Sequence, residues 1–203
     1  MENKIIFIID NGHGAVINGI PQTKGKRSTD FGDGILYEGV SNRRLAKKVI
    51  KKCAYKYGII CFELVPELED ISLKERVKRV NELTKNKKAL LISIHSDAFL
   101  KEQANGWSAY TSKGETKSDK AATILYKYAK KEGLNLREDY SDGDIDKEEN
   151  FYILKNTTCP AVLVENLFMT NKKDNKFLLS EIGQDKLTNI IVETINEIYK
   201  NGL

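Results

Sequence analysis

Cysteine, proline, histidine and tryptophan are all scarce in this 203-residue chain, and the scarcities exclude several classes of protein. Three cysteines, Cys53, Cys61 and Cys159, are too few and too widely spaced for a disulfide framework. None belongs to a C-x-x-C pair, so they read as small buried hydrophobes and not as zinc ligands. Three prolines and 14 scattered glycines without a repeat exclude collagen-like and prion-like chains. The net charge is only +4, without the clustered positive charge of a nucleic-acid-binding domain, so no nucleic-acid partner is expected. No apolar run approaches the roughly 18 residues of a membrane span, so no stable membrane association is expected. The longest early run, Ile5 to Ile9, stops at Asp10, too soon for a signal-peptide core, and no small-residue cleavage site follows. A chain made in the cytoplasm is the expectation.

What is present suffices for a sizeable core: 40% of residues are hydrophobic and 31% charged. The length suits one domain over residues 1–203. Six stretches read as strands. Ile5–Ile9, Ile59–Val65 and Ala89–Ile94 are nearly continuous apolar runs, as in parallel strands buried on both faces. Trp107–Thr111 and Phe151–Leu154 are shorter, and Ala161–Val164 follows Pro160. Helical patterns alternate with them. Leu45, Val49, Cys53 and Tyr57 recur every fourth residue, with Ser41 as the expected N-cap and Gly58 past the end. Ser72-Leu73-Lys74-Glu75 is a capping box ahead of Val77, Val80 and Leu83. Further helices are expected from about 118 to 132 and from about 184 to 200. This alternation predicts a wound, mostly parallel α/β sheet.

Two polar segments interrupt the pattern. Residues 14–37 hold five glycines among Lys24, Lys26 and Arg27, and loops of this length are usually functional or mobile. Residues 137–150 are acidic and superficially suggest a calcium loop at Asp142, Asp144 and Asp146. An EF-hand needs glycine at its sixth position and glutamate at its twelfth. Lys147 and Ile153 stand there instead, so this segment reads as a solvated loop.

The chain has only two histidines, and both close buried strands. His13 follows the first in Asp10-Asn11-Gly12-His13-Gly14, and His95 ends another in Ser93-Ile94-His95-Ser96-Asp97. Open α/β sheets bind ligands outside the carboxyl ends of their strands, so both rings are expected at one crevice. Glu165, closing the run from Pro160 to Val164, repeats that position. Two histidines and a carboxylate are a common set for catalytic zinc. Pattern alone does not choose the carboxylate, because Asp10, Glu38, Asp97 and Glu165 all compete. No H-E-x-x-H motif, dinucleotide or Walker-type glycine loop, or nucleophile elbow is present.

Four segments occur together in a recognisable order. They are Ile8-Ile9-Asp10-Asn11-Gly12-His13-Gly14, Glu38 followed by Asn42-Arg43-Arg44-Leu45-Ala46, Ser93-Ile94-His95-Ser96, and Pro160-Ala161-Val162-Leu163-Val164-Glu165-Asn166. In this the chain resembles, over essentially its whole length, the zinc-dependent N-acetylmuramoyl-L-alanine amidases of the amidase-3 type, found in cell-wall hydrolases and phage endolysins. The resemblance implies a twisted, mostly parallel six-stranded sheet with helices on both faces. It implies one zinc ion held by His13, Glu38 and His95, with Glu165 as the catalytic carboxylate. The substrate it implies is peptidoglycan, cut between N-acetylmuramic acid and L-alanine. The place of action would be the cell wall, reached at lysis if the chain is phage-encoded or by secretion if it is a mature or truncated form. Asn11 stands where the family usually has proline, and Asp97 where it commonly has asparagine. Asp97 is a candidate acceptor for a histidine N–H, and Asn11 a candidate contact to the site or substrate. Two alternatives remain at this point: a zinc carboxypeptidase-like peptidase on a related fold, and a non-catalytic wall-binding module.

Overall fold

A computed structural model describes residues 5–203. Strand β1 (Ile6–Asn11) leads into a long loop that contains a small hairpin, β2 (Val16–Ile17) and β3 (Ile20–Pro21), and ends at helix α1 (Glu38–Tyr57). There follow β4 (Cys61–Glu63), α2 (Leu73–Thr84), β5 (Ala89–Asp97), β6 (Ser108–Thr111) and α3 (Lys117–Lys131). The chain continues through β7 (Lys147–Glu148), α4 (Tyr152–Asn156), β8 (Ala161–Phe168), α5 (Lys172–Leu179) and α6 (Glu181–Asn201). Six strands form one sheet in the order β4-β1-β5-β8-β6-β7. Every pairing in it is parallel except β6 with β8. The predicted architecture, a mostly parallel six-stranded sheet with helices around it, is the observed one.

Side-chain alternation along the central strands builds a core on each face. Phe7 and Ile9 of β1, Leu90 and Ile92 of β5, and Val162 and Val164 of β8 pack with Leu45 and Val49 of α1, Leu125 of α3 and Leu187 and Ile191 of α6. The intervening Ile8, Leu91 and Leu163 face the other way, onto Val77 and Val80 of α2 and Ile153 and Leu154 of α4. Strands buried on both faces have no polar side to display, which is why they read as unbroken apolar runs.

Several expectations change. Phe151–Leu154 is not a strand: residues 152–156 form α4, which tucks the consecutive pair Ile153 and Leu154 into the second core. Alternation would have turned one of that pair outward. The sixth strand is β7, inside the segment read as a solvated loop, and it extends the sheet by pairing with Tyr110 and Thr111. Helix α1 starts three residues before Ser41, with Tyr37 at its N-cap and no side-chain cap. Only half of the Ser72 capping box forms. The Ser72 hydroxyl accepts from the Glu75 amide at 3.3 Å, while the Glu75 carboxylate turns to Arg79 at 3.2 Å. Cys53 and Cys61 are buried and unbridged, as read.

One buried ion pair ties the carboxyl ends of the central strands together. Arg76 of α2 and Asp10 of β1 are almost wholly buried, with Nη1 2.5 Å from Asp10 Oδ1. Arg76 also donates to the carbonyls of Asn11 (3.0 Å) and Ile71 (2.8 Å). The other Asp10 oxygen accepts from Ser93 Oγ of β5 at 2.6 Å. Removing one partner of such a pair leaves a bare charge in a dry interior. Arg76→Ala should therefore lower unfolding free energy by about 3–5 kcal/mol in urea titration. The double change Arg76→Met with Asp10→Leu should recover part of the loss, and an Arg76→Ala protein as stable as the wild type would contradict this.

Candidate metal centre

The first glycine motif is shaped by close contacts on two sides. His13 sits at φ +68°, a conformation costly for a residue with a side chain and sustained here by its neighbours. Arg43 of α1 donates to the His13 carbonyl at 2.6 Å and to the Glu67 carbonyl from two nitrogens. Asn42 donates to the Gly12 carbonyl at 3.1 Å. Gly12 and Gly39 have no room for a side chain. A Cβ on Gly12 would lie 2.1 Å from the His95 ring, and one on Gly39 would lie 1.9 Å from the Gly14 carbonyl oxygen. The first turn of α1 therefore presses directly on the turn that carries His13, and this delivers Glu38, the first residue of α1, to the histidines.

One carboxylate oxygen serves both rings. Glu38 Oε1 lies 3.3 Å from His13 Nε2 and 3.2 Å from His95 Nδ1, and accepts from the Ser96 amide at 3.2 Å. The imidazoles meet edge to face, with centroids 5.0 Å apart. Ligand atoms of His13, Glu38 and His95 all fall within 4.8 Å of one another. Glu38 Oε2 is buried and has no hydrogen-bond partner; the nearest cation is Lys26 Nζ at 3.7 Å. Burial alone would raise the Glu38 pKa, but hydrogen bonds and charge from His13 and His95 outweigh it and hold the carboxyl well below its usual range. Burial opposes protonation of His95, and Glu38 more than offsets it, so His95 moves upward. Two nitrogens and an ionised oxygen converging in a partly dry crevice are a donor set suited to a divalent cation.

Glu165 stands beside this group. It is the register partner of His95 across β5 and β8, so both side chains leave the same face. Its Oε2 is buried without a partner. Burial pushes its pKa up to about 8, against the lowering influence of His95. Just past this pair the β5–β8 register shifts, and Leu167 takes φ +66°. Asn166 braces the corner, donating to the His95 carbonyl at 3.1 Å and accepting from Trp107 Nε1 at 3.1 Å.

The other sequence candidates lie elsewhere. Asp10 is occupied by Arg76 and Ser93, behind the crevice. Asp97 turns to Arg137 Nη1 at 2.8 Å and to the Ala98 amide, not to a histidine nitrogen, because the register shift carries it past the rings. Asn11 is fully buried and donates to the Val65 carbonyl, so its side chain faces the core and not the crevice. The sequence gives no local sign of the parts played by Gly39, Arg76, Arg43 and Lys26. Of these, Arg43 lies in one of the four ordered segments and Lys26 in the glycine-rich loop, while Gly39 and Arg76 carry no local pattern. A cavity of about 750 Å³ opens at the amino ends of the strands, by Ile5, Ala89 and Pro160, but among the described residues no histidine or carboxylate side chain lines it.

Two measurements follow. Gly39→Ala should weaken metal retention by about 10–100-fold, because the added methyl must displace either α1 or the turn carrying His13; unchanged affinity in a metal titration would contradict it. In metal-free protein the raised Glu165 pKa binds a proton more tightly in the folded state, so wild type loses stability as pH rises from about 4.5 to about 8. Glu165→Gln removes that loss. Its melting temperature should gain on wild type across this window, and two parallel pH profiles would contradict the assignment.

The comparisons with known proteins agree with one another. Residues 7–197 match the family model described as N-acetylmuramoyl-L-alanine amidase. The chain is similar to a probable cell wall amidase, LytH, of Staphylococcus saprophyticus, with 29% identity over 108 residues, 53% of this chain and 34% of that protein. It thus spans about a third of the length of the curated relatives it matches. Among solved structures it is similar to the N-acetylmuramoyl-L-alanine amidase of Clostridium difficile 630, at 25% identity and a TM-score of 0.81, covering 98% of this chain and 99% of the other. The catalytic domain of CwlV, an amidase from Bacillus (Paenibacillus) polymyxa var. colistinus, gives 26% identity and a TM-score of 0.78, covering 97% and 98%. With a family match across nearly all of its sheet and helices, the chain belongs to the N-acetylmuramoyl-L-alanine amidase family.

Proposed function

We propose that this chain, as a single catalytic domain over residues 1–203, hydrolyses the amide joining the lactyl group of N-acetylmuramic acid to L-alanine in peptidoglycan, with zinc held by His13, Glu38 and His95. The observation that carries the proposal is the convergence of those three ligand atoms within 4.8 Å at the carboxyl ends of β1 and β5. The donors fit the ion. Both ring nitrogens face one ionised oxygen, and the remaining Glu38 oxygen is buried without a hydrogen bond. When bound there, zinc supplies a Lewis acid that polarises the amide carbonyl and acidifies water.

The protein's own groups supply the rest. Glu165, with a free buried oxygen beside His95, takes a proton from the attacking water as the new carbon–oxygen bond forms. It returns that proton to the alanine nitrogen as the carbon–nitrogen bond breaks, and the second proton of the water passes from the new lactyl carboxyl to the amine, so the products are a lactyl carboxylate and the ammonium of L-alanine. A carboxyl with a pKa raised toward neutrality suits both halves of that task, since it exchanges a proton at little cost near the working pH. Arg43 and Asn42 act on the backbone, fixing the turn that aims His13. Among the described residues no helix is long and apolar enough to cross a membrane, and the proposed place of action is the cell wall.

Mass spectrometry of digested peptidoglycan should find new amino-terminal L-alanine on the stem peptides. Free amino acid released from the stem terminus would instead identify a carboxypeptidase, and sedimentation with wall without hydrolysis a binding module. His13→Ala, Glu38→Ala and His95→Ala should each lose zinc and rate together. Glu165→Gln should retain zinc while turnover falls by about 10²-fold or more. If it retains full rate, or loses zinc with the rate, Glu165 is not the proton carrier.

A further inference from the structure

The acidic segment before β7 is largely exposed, as its composition suggests, but one of its carboxylates is not. Asp146 is 1% exposed, and the loop folds it against the first turn of α3. Carboxylate oxygens of Asp119, Asp144 and Asp146 come within 4.8 Å of one another there. Asp146 Oδ2 accepts from the Thr111 hydroxyl at 2.7 Å, but Oδ1 is buried with no donor at all. Among the described residues, no lysine or arginine forms an ion pair with any of the three. The neighbouring Lys147 ammonium lies 4.0 Å from Asp139 instead. Three like charges with an unpartnered buried oxygen are unfavourable unless something positive sits among them.

We propose that Asp119, Asp144 and Asp146 form a second cation site, which takes a hard divalent ion of the calcium class. The donors are all oxygens, with neither nitrogen nor sulfur, which separates this site from the one at the two histidines and favours calcium over zinc. Calcium also tolerates irregular geometry, whereas magnesium demands near-octahedral ligands and keeps its waters. The loop is not an EF-hand pattern, since Lys147 and Ile153 occupy the glycine and glutamate positions of one. The site is assembled differently. Asp144 and Asp146 come from the loop, and the third carboxylate arrives from a helix 25 residues upstream of Asp144 in the chain. Burial, the adjoining Asp144 carboxyl and the charge of Asp119 push the Asp146 pKa up to about 7. An ion there would fasten the edge of the sheet at β6 and β7 to α3. The same segment opens with Arg137, which holds Asp97 beside the crevice.

Calorimetric titration of the zinc-loaded chain with calcium chloride tests this, alongside thermal melts at matched ionic strength. One calcium should bind per chain, and the melting temperature should rise by about 5–10 °C at a hundredfold excess over Kd. Magnesium should act more weakly. Asp144→Asn should reduce calcium affinity at least tenfold, while His95→Ala, which disturbs only the first centre, should bind calcium as the wild type does. The titration of the unaltered chain decides the matter even if the Asp144 variant folds poorly. No binding heat and no melting shift would overturn the proposal. So would a protein indifferent to calcium in which Asp146→Asn raises the melting temperature, because the cluster then holds a shared proton.

Discussion

The guanidinium of Arg76 meets the carboxylate of Asp10 in a space closed to water, and the carboxyl ends of β1 and β5 take their relative position from that contact. Arg76 faces one Asp10 oxygen and Ser93 donates to the other, so neither oxygen lies in that interior without a partner. Arg76 in turn is held by α2 and by the carbonyls of Asn11 and Ile71. Three separate elements are thus fixed by one arginine immediately behind the two histidines. Beyond Asp10 the chain turns through Gly12 against the His95 ring, so a slip of β1 along β5 would move both rings at once.

From that frame the crevice assigns opposite electrostatic characters to two glutamates. Glu38, the first residue of α1, shares one oxygen between His13 and His95 and stays ionised. Glu165, one strand over, is buried with a free oxygen and has its pKa pushed up to about 8. In the proposed function the carboxylate kept charged is the ligand, and the one with the raised pKa is the proton carrier. The difference comes from partners within one crevice rather than from residue type.

Much of this was legible in the chain. Ile6–Asn11, Ala89–Asp97 and Ala161–Phe168 are central strands, and burial on both faces forces their apolar runs. That His13 and His95 meet followed from parallel strands sharing a carboxyl edge. Elements decided by long-range packing were less legible. A four-residue apolar run such as Phe151–Leu154 suits strand and helix equally, and α2 and the sheet decide for helix. Helix α1 starts at Glu38 rather than at a Ser41 cap because Gly39 must press on Gly14, a contact across 25 residues that no local pattern announces. The Asn18-Gly19 pair, with both residues at positive φ, forms the turn of the β2–β3 hairpin inside the stretch 14–37 that reads only as a loop. Asp97 was judged by nearness in sequence, and the register shift after His95 sends it to Arg137.

In the proposed site, side chains from a strand end, a helix start and a second strand end make one metal centre. Anomalous scattering at the zinc edge from crystals of the zinc-loaded protein tests it most directly. A peak should lie among His13 Nε2, Glu38 and His95 Nδ1, with Glu165 beside it but not bound to it. An empty position there, or zinc held by Glu165 or Asp10 in place of Glu38, would contradict it.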